Sequence, residues 1–151
     1  MDLIFRRARG DDLEVIVRLL ADDILGRDRE QGGSLVEEAY WQAFEAIDAD
    51  PRQLLVVAEQ SGEVIATLQL TFIPSLTFHG GERAQIEAVR VDSSMRGSGV
   101  GRRMILWAFE EARSRGCHLV QLTTNKRRAE ALRFYESLGF EASHEGMKLK
   151  L

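Results

Sequence analysis

The sequence predicts a mixed α/β (α+β) fold in one domain spanning 1–151: a central, largely antiparallel twisted sheet of roughly six to seven strands flanked by about four helices. Three observations predict it. Two β-branched runs meet at a Ser-Gly turn, apolar sets of helical period stand between the strand-like runs, and one strand leads through a glycine-rich turn directly into a helix. With 44% hydrophobic and 29% charged residues, the chain has the composition of an ordinary globular protein with a real core.

Leu3 to Ala8 reads as an opening strand, and Asp11 as the cap of a helix carrying Leu13, Ile16, Leu19 and Leu20 at helical spacing. Arg27 to Ser34, with Gly32-Gly33, is expected to be a loop. Leu35 to Ala49 follows as a helix with Val36, Tyr40, Phe44 and Ile47 on one side, ended by Asp50-Pro51. Gln53 to Glu59 and Val64 to Ile73 form a hairpin around Gln60-Ser61-Gly62. Pro74 to Arg83, containing Gly80-Gly81, reads as a mobile connection to a strand over Ala84 to Asp92. Gly99 to Arg115 is helical through Val100, Met104, Trp107, Ala108 and Ala112, with Gly116 as its terminator. His118 to Thr123 is a strand and Ala129 to Leu138 a helix stopped by Gly139. Phe140 to Leu151 is a last extended region.

Composition narrows the function classes. No apolar run reaches the roughly 20 residues of a membrane helix, and the N-terminal sequence lacks a signal-peptide pattern, so neither a membrane partner nor export is expected and the cytoplasm is the default compartment. A net charge of −4 argues against a nucleic-acid partner. The charge is unevenly spread: from Arg96 to Arg133 there are nine basic residues against three acidic ones, as a face for a small polyanion would require, or a solvated surface that happens to be basic. Cys117 is the only cysteine, and after Gly116 at a helix-to-strand junction it reads as a packing residue rather than a nucleophile. No metal site is expected.

The strongest local signal is Val91-Asp92-Ser93-Ser94-Met95-Arg96-Gly97-Ser98-Gly99-Val100-Gly101-Arg102. Glycines let the backbone bend and come close to a ligand, and the first N–H groups of the helix present unsatisfied donors and the positive end of its dipole to an anion. Arg96 and Arg102 add charge. Two other phosphate motifs fail on spacing. A P-loop needs Gly-Lys-Ser/Thr, whereas Gly101 is followed by Arg102-Arg103; the dinucleotide fingerprint needs Gly-x-Gly-x-x-Gly and an acid about 20 residues on, whereas no acid occurs between Glu111 and Glu130.

Arg96-Gly97-Ser98-Gly99-Val100-Gly101 after a strand resembles the Arg/Gln-x-x-Gly-x-Gly/Ala signature of the GNAT superfamily of acyl-CoA N-acyltransferases. Ala131-Leu132-Arg133-Phe134-Tyr135-Glu136-Ser137-Leu138-Gly139-Phe140 is similar to the family's second motif, and the order of elements is similar over nearly the whole chain. The resemblance implies a GNAT-like fold and transfer of an acetyl group from acetyl-CoA to a primary amine, the acceptor being first of all a small molecule. It implies coenzyme contacts from the backbone of Val89, Arg90 and Val91 and from Arg96, Gly97, Ser98, Gly99, Val100, Gly101 and Arg102. Many members are homodimers, for which Trp41 and Trp107 offer apolar contacts. One position departs from the pattern: seven residues before the tyrosine the family often has Asn, and here stands Arg128, able to pair with a phosphate instead.

An amine attacks a thioester only when neutral, so a base or a water relay must take its proton, and the departing thiolate needs one. The resemblance implies Tyr135 as the acid, against packing alone. Glu87 is the first choice of base, against a salt-bridge partner; Gln85 shares its strand face if no bulge intervenes, and His79 and His144 rank lower. Asp22, Asp23, Asp28 and Glu30 are candidates to attract a cationic amine, or are simply solvated; with Pro74 to Arg83 they stand on the loops expected to shape the acceptor pocket. A non-catalytic acyl-CoA sensor, an interaction module and an acetyltransferase for protein amines stay open beside the small-molecule enzyme.

Overall fold

The computed structural model describes residues 2–22 and 36–151. Leu35, the 27–34 loop and the acids Asp23, Asp28 and Glu30 lie outside the described residues. The chain divides into two compact units, Met1–Gln121 and Leu122–Leu151.

The first unit is built on a sheet of order β1-β2-β3-β4-β5, from β1 (Leu3–Arg7), β2 (Gln53–Gln60), β3 (Glu63–Ile73), β4 (Arg83–Val91) and β5 (Leu119–Leu122). The three pairings β1–β2, β2–β3 and β3–β4 are antiparallel. The β2–β3 hairpin closes on Ser61 and Gly62, both at positive φ (52° and 83°), the two-residue geometry whose twist matches that of the strands. Its helices are α1 (Leu13–Ala21), α2 (Glu38–Ala49), the one-turn α3 (Thr77–Gly80) and α4 (Val100–Ser114).

Alternation along the strands separates the two sheet faces. Val56, Ala58, Ala66, Leu68, Leu70, Phe72, Ala84 and Ile86 are buried on the face toward α4, whose Met104, Ile105 and Ala108 are fully buried. Arg115, just past α4, stacks its guanidinium 4.2 Å from the Phe72 ring centre. On the opposite face Val57 packs with Ala8 and Ile16, joined by Leu20, Phe44, Leu55 and Val64, so α1 and α2 cover that side of β2. Arg6 ties the layers: its guanidinium donates to both Asp12 oxygens at 2.7 and 3.0 Å and to Glu59 at 2.8 Å. The helix-start carboxylate is therefore Asp12, which also accepts the Arg9 N–H at 2.7 Å, and not the expected Asp11. Arg6 and the Arg9 N–H hold the Asp12 carboxyl below its ordinary range against the opposing effect of burial.

The 74–83 segment carries more structure than a mobile connection. Gly80 and Gly81 N–H groups donate to the Leu76 and Thr77 carbonyls. Phe78 and His79 both take left-handed conformations, and Phe78 stacks on His118 with ring centres 4.8 Å apart.

The second unit holds the end of β5 and α5 (Ala129–Ser137). Phe140–Leu151 forms no strand, so the described residues hold five strands rather than six to seven. The apolar alternation that suggested a strand is present in Met147, Leu149 and Leu151, but these are exposed at 92%, 86% and 117%. Period-two patterning qualifies a segment for a sheet; only a paired edge makes it a strand.

Candidate active site

The glycine-rich turn is built by local chemistry. Asp92, the last residue before the Ser93–Met95 turn, accepts the Ser94 N–H at 2.9 Å and the Ser94 hydroxyl at 2.6 Å. Those bonds, with the nearby Arg96 and Arg18 charges, hold its carboxyl below the ordinary range. Gly97 and Gly99 then adopt left-handed conformations, φ 79° and 88°, costing an alanine about 1–2 kcal/mol each. Gly99 is the N-cap of α4, and no side chain caps that helix start. A Cβ built on Gly97 or Gly99 would meet nothing within 4 Å, so the space beside both glycines is open. An uncapped helix start of 15 residues behind two left-handed glycines fits a phosphate or pyrophosphate. Arg96 reaches back to donate to the Asp22 carbonyl at 3.2 Å, tying the turn to the end of α1; Arg102 is exposed on the first turn of α4.

Strand β4 delivers the chain to this turn and is itself irregular. Its pairing with β3 jumps from Gln69↔Glu87 to Thr67↔Arg90, so Ala88 and Val89 stand opposite the single Leu68. Ala88 absorbs the extra residue at φ 54°, unusual for a residue with a side chain and therefore held by the pairing on either side. β5 runs beside the first half of β4: the His118 N–H donates to the Glu82 carbonyl at 2.9 Å and Gln121 bonds to Gln85. Val89, Arg90 and Val91 lie beyond the bulge, half-buried, and Arg90 Nη1 donates to the Val89 carbonyl at 2.9 Å.

Glu87 is exposed at the last regular position before the bulge. Because the bulge comes after it, Gln85 and Glu87 do share a face, and Gln85 Nε2 donates to Glu87 Oε1 at 2.8 Å. The weaker base candidates stand elsewhere: His79 on the α3 turn, and His144 in the second unit, where its Nδ1 lies 2.6 Å from the Ser143 hydroxyl. Asp22 is at the C-terminal end of α1. Cys117 lies 4.0 Å from Glu82; burial, and then the Glu82 carboxylate, push its thiol up, which suits packing and not nucleophilic attack. Among the described residues no cluster of His, Cys, Asp and Glu could hold a metal, and no helix is long and apolar enough to cross a membrane.

In the second unit Tyr135 sits half-buried on α5 with edge-on contacts to Phe134 and Phe140, ring centres 5.2 and 5.7 Å away. Arg128 is the N-cap residue of α5. Asn125, three residues earlier, accepts the Arg127 N–H through Oδ1 at 2.9 Å, so its carboxamide builds the turn. Of the two tryptophans offered for a dimer contact, Trp107 is half-buried and stacks on Phe5 at 5.8 Å, and Trp41 is 37% exposed beside Phe44.

The Acetyltransferase (GNAT) family pattern matches residues 20–140. The chain belongs to the GNAT acetyltransferase family. It is 31% identical over 148 residues to a glucosamine 6-phosphate N-acetyltransferase of Trypanosoma brucei brucei, covering 93% of this chain and 99% of the relative. It is 35% identical over 107 residues to an aminoalkylphosphonate N-acetyltransferase of Salmonella typhimurium, covering 71% and 69%. Among solved structures, a transcriptional regulator from Bacillus halodurans superposes with a TM-score of 0.96 at 49% identity, over 99% of this chain and all of that one. This GNAT chain is accordingly an acetyl-CoA-dependent N-acetyltransferase.

Proposed function

We propose that this GNAT enzyme acetylates a small primary amine that also carries a phosphate or phosphonate group. The carrying observation is that two relatives matched over more than two thirds of their length, acting on glucosamine 6-phosphate and on an aminoalkylphosphonate, share that pairing of amine and phosphorus oxyanion.

When bound, acetyl-CoA supplies the acyl thioester. The N–H groups from Gly97 to Arg102, with Arg96 and Arg102, would hold its phosphates, and the backbone of Val89 to Val91 would receive the pantetheine arm; Arg128, by its place in the second motif, is a further candidate for a phosphate. An exposed Glu87 carboxylate takes the proton of the ammonium acceptor, directly or through water, and the Tyr135 hydroxyl gives one to the departing sulfur. The left-handed Ala88 supports this reading, since strain of that kind is concentrated at functional sites.

The test compares phosphorylated and unphosphorylated partners: glucosamine 6-phosphate against glucosamine, and an aminoalkylphosphonate against the plain alkylamine. The proposal expects kcat/KM at least about tenfold higher for the phosphorus-bearing member of each pair, the worth of one charge-assisted hydrogen bond. Equal values would refute it. A second reading, an acetyl-CoA-responsive regulator, draws on the likeness to the Bacillus halodurans transcriptional regulator. The net charge of −4 speaks against direct binding of nucleic acid.

A further inference from the structure

Across the sheet face that bears Glu87, polar side chains replace the apolar ones that Val57 and Leu55 supply further along. Gln53 on β2 accepts from Gln69 Nε2 and from the Thr71 hydroxyl of β3, at 2.8 and 2.9 Å. Gln69 and Thr71 are the register partners of Glu87 and Gln85 on β4. On the far side Gln121 of β5 donates through Nε2 to Gln85 Oε1 at 2.8 Å. Gln85 then donates through its own Nε2 to Glu87 Oε1, also at 2.8 Å.

The direction of this chain follows from its end groups. A carboxylate only accepts, so Gln85 must turn its NH2 group toward Glu87, which aims its carbonyl at β5. Gln121 meets that carbonyl with its own NH2. A carboxamide that rotated by half a turn would set oxygen against oxygen at one end and NH2 against NH2 at the other. Each member thus fixes the orientation of the next, and the last is the exposed carboxylate beside the bulge.

We propose that Gln85 is a positioning residue for Glu87 and that Gln121 acts through Gln85, so that the Gln121–Gln85–Glu87 chain holds the carboxylate in the orientation from which it receives the acceptor's proton. This rests on Glu87 being the base. One carboxylate oxygen is occupied by Gln85, which leaves the other for the amine or its relaying water. A residue that only supported the sheet would not depend on the direction of its carboxamide, whereas this chain does.

The first test needs no acceptor. In the NMR spectrum of the folded protein the Gln85 side-chain NH2 protons, bonded to a carboxylate, resonate downfield of free carboxamides. The displacement is expected to vanish in Glu87→Ala, to shrink in Glu87→Gln, whose carboxamide oxygen is a neutral acceptor, and to shrink in Gln121→Met. Gln85 signals identical in wild type and Gln121→Met would overturn the directional chain.

The second test is kinetic, with glucosamine 6-phosphate and an aminoalkylphosphonate as probes. Gln85→Met is expected to lower kcat roughly tenfold with KM for acetyl-CoA within about twofold, the loss of one hydrogen bond to a charged group. Gln121→Met lowers kcat about threefold, and Gln121→Glu lowers it further, because an acceptor there draws the Gln85 NH2 group away from Glu87. Neither change at Gln121 has a further effect once Gln85 is methionine, the non-additivity expected of residues acting in series. Additive effects in that cycle, or wild-type kcat in Gln85→Met while Glu87→Gln is slow, would refute the positioning role alone. Wild-type kcat in Glu87→Gln would remove the base assignment, and the positioning role with it.

Discussion

Replacing Gly99 by aspartate separates the fold of the glycine-rich turn from its use. Gly99 is the N-cap of α4 at φ 88°, a conformation that costs a residue with a side chain about 1–2 kcal/mol, with aspartate among the most tolerant. One effect offsets this: its charge lies at the positive end of the helix, worth about 0.3–1 kcal/mol. A Cβ at this position meets no atom within 4 Å, so no clash is added. The net cost is about 1 kcal/mol, and the melting temperature should fall by roughly 2–4 °C. Binding should respond differently. At about 5 Å from a bound phosphate and an effective dielectric constant near 20, the new carboxylate repels one charge by about 3 kcal/mol, which is at least about a hundredfold in affinity. Calorimetric titration with acetyl-CoA, beside a thermal melt of the same sample, measures both. Gly99→Ala, which adds the strain without the charge, should lose much less affinity. A folded Gly99→Asp protein that binds acetyl-CoA as tightly as wild type would refute the use of this turn for phosphate.

Two further outcomes follow from particular contacts. Asp12→Ala leaves the Arg6 guanidinium with Glu59 and should cost about 2 kcal/mol, less than a fully buried pair because Arg6 is 21% exposed; the melting temperature should drop by roughly 4–8 °C. Since the folded Asp12 carboxyl is held below its unfolded range, its contribution is complete above the unfolded value of about 3.9 and is lost as pH falls through the folded one. Wild type and Asp12→Ala should therefore converge in stability only in strong acid, and convergence already at neutral pH would contradict the assignment. Tyr135→Phe keeps its ring contacts with Phe134 and Phe140 and should leave acetyl-CoA affinity intact while slowing turnover by roughly 10²-fold, the low end for a lost general acid because a thiolate leaves tolerably unprotonated. The deficit should narrow as pH rises toward a thiol pKa of about 8.5. Unchanged turnover at neutral pH would reduce Tyr135 to packing.

What could be read in the sequence was whatever is written locally. Ser61-Gly62 specifies its hairpin, Gly97 and Gly99 stand where the backbone must turn left-handed, and the α4 apolar set recurs at helical period; even so that set missed Ile105, which is fully buried. The bulge is different. Alanine carries no preference for φ 54°, and Ala88 adopts it because the β3 register on either side leaves one residue too many. The order Gln121–Gln85–Glu87 depends on β5 lying beside β4 after a 15-residue helix, a pairing no neighbouring residue announces. The same non-locality misled in the other direction at Phe140–Leu151, whose alternation is that of a strand although no ladder forms there. Asp12 took the role expected of Asp11 because Arg6, six residues earlier on β1, faces it.

Transfer of acetyl from acetyl-CoA to a small phosphorus-bearing amine is measured best by following both products at once. Wild-type enzyme is mixed with acetyl-CoA and glucosamine 6-phosphate, and separately with an aminoalkylphosphonate, while released coenzyme A thiol and N-acetylated amine are quantified in the same samples. Equal amounts of thiol and acetylated amine are expected with at least one of the two, and little thiol release when amine is omitted. Thiol release at the same rate without amine, or tight binding of acetyl-CoA with no acetylated product from either acceptor, would contradict such a transfer.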